Sequence, residues 1–138
     1  MIIGALKEKN KFENRVAISP EETRNYVKSG HQVLIEKSAG LSSGFLDSYY
    51  KEAGALITPS KEILNKSQIL VKIQLPLSDE VKQMQSSSIL VSQVDVNTNQ
   101  EIIKSLNTKK ISVFALERIP RITRAQNMDI LSSQANLA

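Results

Sequence analysis

The chain has 138 residues, 41% of them hydrophobic, a net charge of +4, a pI near 9.4 and no cysteine. That is one domain's length with enough apolar content for a single core, and it excludes a disulfide framework or a thiolate metal site. No apolar run approaches the ~20 residues of a membrane span, and scattered lysines with only 4% aromatics form no basic stripe for nucleic acid.

The opening MIIGALKEKNK carries too short an apolar stretch, in the wrong order, for a signal peptide. Ile2 to Leu6 is predicted as a first short strand. Ser19, Pro20 and Glu22 then mark a helix start, with an N-cap serine, a first-turn proline and a capping-box glutamate, and Gly30 marks its end. Gln32 to Glu36 is a second strand. Leu46 to Ala53 reads as a helix closed by Gly54, and Ala55 to Thr58 as a third strand ended by Pro59. Ile69 to Gln74 is the clearest strand and is expected at the centre of the sheet. Ser78 to Met84 and Gln100 to Asn107 are predicted helices, with strands at Ile89 to Val94 and Ile111 to Leu116. β-Branched runs alternating with short helices predict an α/β fold, a doubly wound and mostly parallel sheet with helices on both faces.

The C-terminal stretch RITRAQNMDILSSQANLA reads as a helix of divided character. At 100° per residue, Met128, Leu131, Ala135 and Ala138 share one side. Gln126, Asp129, Ser132, Ser133 and Asn136 share another, offering amides, hydroxyls and one carboxylate where surface helices usually carry Lys and Glu. Spacing alone leaves two readings open, a hydrogen-bonding face for an uncharged polar ligand or a helix start with capping residues.

Familiar catalytic motifs are missing. A dinucleotide-binding turn needs Gly-x-Gly-x-x-Gly between strand and helix, and Gly40 and Gly44 in SAGLSSG have the wrong spacing. There is no Walker lysine motif and no recognisable Ser/His/Asp set, and His31 is the one histidine, so no zinc His pair can form. Two cations stand out. Arg15 lies just before the first helix, and Lys72 interrupts the apolar run ILVKI on the strand face of Leu70 and Gln74. The bland alternative pairs Arg15 with a neighbouring glutamate and lets Lys72 snorkel from a strand end.

PRITRAQNMDILSSQANLA, residues 120 to 138, resembles the nicotinamide-contacting loop and helix of the alpha subunit in the alanine dehydrogenase/proton-translocating NAD(P) transhydrogenase family. KEKNKFENRVAISPEE resembles the opening that the family shares, and GHQVLIEKSAG, ILVKIQLP and LERIPR keep its order. The resemblance covers the whole chain, as the N-terminal domain of that subunit, 1–138. It implies a flavodoxin-like or Rossmann-like subdomain without the dinucleotide fingerprint, the NAD-binding Rossmann domain lying outside this chain. It further implies cofactor-side residues Arg121, Gln126, Asp129 and Ser132, with Arg121 and Asp129 paired, and no residue acting as nucleophile, acid or base. NAD(H) would be the cofactor of the full subunit and NADP(H) that of a partner component. Other transhydrogenase subunits and a homodimer would be its partners, at a cytoplasmic location peripheral to the inner membrane.

Positions matching Arg15 and Lys72 serve the substrate site of the dehydrogenase branch, so here they read as substrate-pocket remnants. That branch also needs a histidine after the next strand, where this chain has VSQVDVNTNQ. The alternatives are a non-catalytic truncated fragment or a piece of an alanine dehydrogenase. On its own the chain is expected to be inactive.

Overall fold

The computed structural model describes residues 1–94 and 100–115. Six parallel strands form one sheet in the order β3-β2-β1-β4-β5-β6. The strands are β1 (Ile2–Ala5), β2 (Gln32–Glu36), β3 (Leu56–Thr58), β4 (Ile69–Val71), β5 (Ile89–Ser92) and β6 (Ser112–Ala115). Helices α1 (Pro20–Lys28), α2 (Asp47–Glu52), α3 (Ser60–Lys66), α4 (Ser78–Gln83) and α5 (Gln100–Thr108) connect them. Ile3 to Ala5 of β1 pair with Ile69 to Val71 of β4, which puts these two strands at the centre. No helix among the described residues is long and apolar enough to cross a membrane.

The strands alternate their faces with the two-residue period of a pleat. On one face Ile3, Ala5, Val33 and Ile35 pack with Val16, Ile18 and Tyr50 beneath α1 and α2. On the other, Leu34, Leu70 and Leu90 pack with Ile63 and Leu64 of α3, Val81 of α4 and Leu106 of α5. The α1 face is covered over β3, β2 and β1. Further along it, Ile69, Val71, Ile89, Val91 and the half-exposed Phe114 line a shallow apolar groove of about 370 Å³.

Local signals explain most boundaries. Ser19 accepts from the Glu22 amide at 3.1 Å and so caps α1, while Gly30, at φ +92°, closes the turn that follows it. β4 is shorter than the predicted strand because the chain bends at Ile73 and Gln74, whose amides turn to the Glu8 carboxylate. The helix α3 was not among the predicted elements. Its N-cap, Pro59, makes no side-chain cap bond, and its sequence SKEILNK ends on Ser67 instead of a glycine. α3 provides the crossover from β3 at one edge to β4 in the middle. It lies close enough that a side chain on Gly4 would overlap Ser67 and approach Ile63 Cγ2 to 2.6 Å.

Candidate functional site

Strand order decides where a site can sit. From β1 the chain moves outward to β2 and β3, and from β4 it moves the opposite way to β5 and β6. In open parallel sheets the crevice at that reversal, beyond the C-terminal ends of the strands, is where ligands bind. Here two loops meet at it, Leu6 to Ser19 after β1 and Lys72 to Leu77 after β4.

The two loops are joined by charged and polar side chains. Lys72 is buried, and its ammonium lies 3.4 Å from Glu8 Oε1, also buried. Glu8 accepts in addition from the backbone amides of Ile73 and Gln74, each at 3.0 Å. A second carboxylate, Glu13, takes Arg15 in a bidentate grip, Nε to Oε1 at 2.8 Å and Nη2 to Oε2 at 2.9 Å. Gln74 Nε2 donates to the same Oε2 at 3.1 Å. Next to Glu8, Lys9 reaches Glu80 of α4 at 3.6 Å, and Glu80 Oε1 accepts from the Leu77 amide.

The electrostatics follow from the contacts. The Arg15 hydrogen bond holds the Glu13 carboxyl down at about 2, helped by Gln74 and opposed by burial. Arg15 is raised in turn by the Glu13 hydrogen bond, with the charges of Glu13 and Glu8 adding to it. Two carboxylates thus balance two cations, and the Glu8–Glu13–Arg15–Lys72 cluster is neutral overall.

The cluster also occupies the place where a dinucleotide-binding fold has its glycine turn. The connection from β1 to α1 is long and contains no glycine, the first residue of α1 is a proline without an N–H, and the Glu22 and Thr23 amides are taken by Ser19. Nothing there lets backbone amides close on a pyrophosphate. The residues fit the uncharged polar end of a cofactor, through amide, ammonium and carboxylate groups, and do not fit its phosphates.

Of the sequence-derived candidates, Arg15 and Lys72 are brought to this crevice. Arg15 has the neighbouring-glutamate partner of the bland reading. Lys72 does not snorkel; it is 2% exposed and held inside. Arg121, Gln126, Asp129 and Ser132 lie outside the described residues, as does the pairing of Arg121 with Asp129. Glu8, Glu13 and Gln74 were not singled out as site residues, although KEKNKFENR contains both acids. His31 stands apart, its Nδ1 3.1 Å from the N-terminal ammonium.

Comparison with known proteins places the chain in a family. The sequence model described as "Alanine dehydrogenase/PNT, N-terminal domain" matches residues 4–138. NAD(P) transhydrogenase subunit alpha of Haemophilus influenzae is 41% identical over 138 residues, which is 100% of this chain and 27% of that protein. The crystal structure of transhydrogenase from Sinorhizobium meliloti superposes with a TM-score of 0.89 at 35% identity, covering 99% of this chain and 41% of that one. An L-alanine dehydrogenase structure superposes at 0.82 with 32% identity, covering 91% and 34%. The chain therefore spans well under half the length of these relatives.

Proposed function

Because this chain belongs to the alanine dehydrogenase/PNT N-terminal domain family, we propose that it serves hydride transfer between NAD(H) and NADP(H) in a proton-translocating transhydrogenase. Its role is that of the N-terminal domain of the NAD(H)-binding alpha subunit. NADP(H) binds on a partner component, and proton movement belongs to membrane subunits that hold this domain at the cytoplasmic side of the inner membrane. The subunit works as a homodimer.

The observation that carries this reading is a parallel sheet whose switch-point crevice lacks a phosphate-binding turn and is lined by a neutral hydrogen-bonding cluster. Bound NAD(H) supplies the hydride, at its nicotinamide ring. The protein's part is to orient that ring and keep water out, which needs directional hydrogen bonds and no nucleophile. By the family motif, the roles carried over to this chain are for Gln126 and Ser132 to bond the carboxamide or ribose region and for Arg121 and Asp129 to pair and fix each other. Lys72 and Gln74 complete the polar wall from the β4 side. The dehydrogenase reading is less well supported, since 93–100 offers no histidine and the identity to the transhydrogenase subunit is higher.

The test replaces the matching region of the Haemophilus influenzae subunit with residues 1–138 and assays both activities. Retained NADH-to-NADP+ hydride transfer supports the reading. Alanine-dependent NAD+ reduction in its place overturns it in favour of the dehydrogenase.

A further inference from the structure

We propose that Glu8 is a positioning residue of this site, one that acts through Lys72. The inference rests on the reading above, that a cofactor's polar end enters the β1/β4 crevice. Glu8 is buried, yet it spends its two oxygens mainly on the loop after β4, accepting from the Ile73 and Gln74 amides at 3.0 Å each. Those two bonds fix the carboxylate. The Lys72 ammonium then meets an immobile anion at 3.4 Å, a longer contact than either amide makes.

An ammonium has three N–H donors. Glu8 is the one partner of Lys72 Nζ among the described residues, so the cation keeps donors for an oxygen of a bound ligand while its charge is already balanced. A buried cation without that partner would carry a large desolvation cost. The neighbouring Lys9 tethers the same loop to Glu80 of α4, its ammonium 3.6 Å from Glu80 Oε2. The Glu8–Lys9 step therefore ties the first loop both to the end of β4 and to α4. A shift of Glu8 would move Lys72 and the Gln74 amide together.

The experiment is a double-mutant cycle in the transhydrogenase complex that carries this chain, with Glu8→Gln, Lys72→Met and the pair, reading kcat and KM for NADH. Glu8→Gln should lower kcat about tenfold and leave KM within about twofold, because the phosphates are held elsewhere. Lys72→Met should do the same, and the double variant should be no worse than the worse single. Glu8→Asp, which keeps the charge, should recover part of the loss. In the 138-residue chain, the Lys72 ammonium proton signal in a ¹H–¹⁵N spectrum should be present in the wild type and lost in Glu8→Gln. Losses that multiply in the double variant, or a Lys72→Met enzyme with unchanged kcat, would overturn the proposal. A wild-type complex with no NADH-to-NADP+ transfer would sink the functional reading, and the ammonium signal would still decide whether Glu8 holds Lys72.

Discussion

Glu13 and Arg15, two positions apart, meet through two parallel hydrogen bonds of 2.8 and 2.9 Å, and Gln74 from the far loop donates to the same carboxylate. The contact orders the first loop and fastens it to the loop after β4. It also gives the protein a defined response to acid. The Glu13 carboxyl sits near 2 in the folded chain, below its ordinary value of 4.5, chiefly because of the Arg15 hydrogen bond. Its stabilisation is therefore present above about 4.5 and is lost as pH falls from there towards 2. Glu13→Gln should cost on the order of 2 kcal/mol at neutral pH after solvent screening. Thermal melts of both proteins should converge between pH 4.5 and the lowest pH at which the wild type folds; a gap constant with pH contradicts the assignment.

Gly4 and Ser67 test the seat of α3 under the sheet. Gly4→Ala should destabilise by about 3 kcal/mol or prevent folding, since its Cβ would overlap Ser67 and crowd Ile63. Ser67 Oγ is buried without a hydrogen-bond partner. Ser67→Ala alone should therefore be neutral or stabilising by up to ~1 kcal/mol, and it should relieve part of the Gly4→Ala loss. Urea unfolding of the three variants measures both effects.

Tyr50 is fully buried, and its hydroxyl donates to the Ile18 carbonyl at 2.7 Å, just ahead of the α1 cap. Burial pushes its phenol well above the ordinary value. Tyr50→Phe keeps the ring and strands that carbonyl, so a loss of about 1–2 kcal/mol is expected in chemical denaturation. A neutral substitution would mean that water reaches the Ile18 carbonyl.

Residues 1–138 alone should bind NADH weakly or not at all, because the domain lacks a turn for the pyrophosphate. Titration calorimetry should give no saturation below about millimolar NADH, which corresponds to roughly −4 kcal/mol. Micromolar affinity would mean that the phosphates have a site in this domain.

In the intact complex, Asp129→Asn should slow hydride transfer by about tenfold or more through lost orientation, with NADH affinity little changed. An unaltered single-turnover rate would remove Asp129 from the nicotinamide side.

The strands were legible because their apolar runs are short, β-branched and bounded by glycine, proline or a capped helix. Ser19–Pro20 announced α1, and ILVKI announced a central strand. Helix α3 was not legible because its stability comes from Ile63 and Leu64 pressed onto the sheet, with no side-chain cap or glycine stop to declare it. The site divides in the same way. Arg15 and Lys72 stood out as charges in apolar or pre-helical context. Their partners could not be assigned from spacing, because Glu8 reaches Lys72 and Glu13 reaches Gln74 across more than half the described chain, and only the strand order brings those loops together.

That order also sets a timetable for assembly. β1 to β3 form one run of neighbouring crossovers and β4 to β6 another, so each half can gather its contacts over short stretches of chain. The halves join along the register of Ile3 with Ile69, Gly4 with Leu70 and Ala5 with Val71. Closing that seam requires the longest loop in the sheet and yields little until it is complete. Contact order therefore predicts that the joining of β1 to β4 limits the folding rate, which substitutions along that register, such as Val71→Ala, would test by slowing refolding more than they speed unfolding.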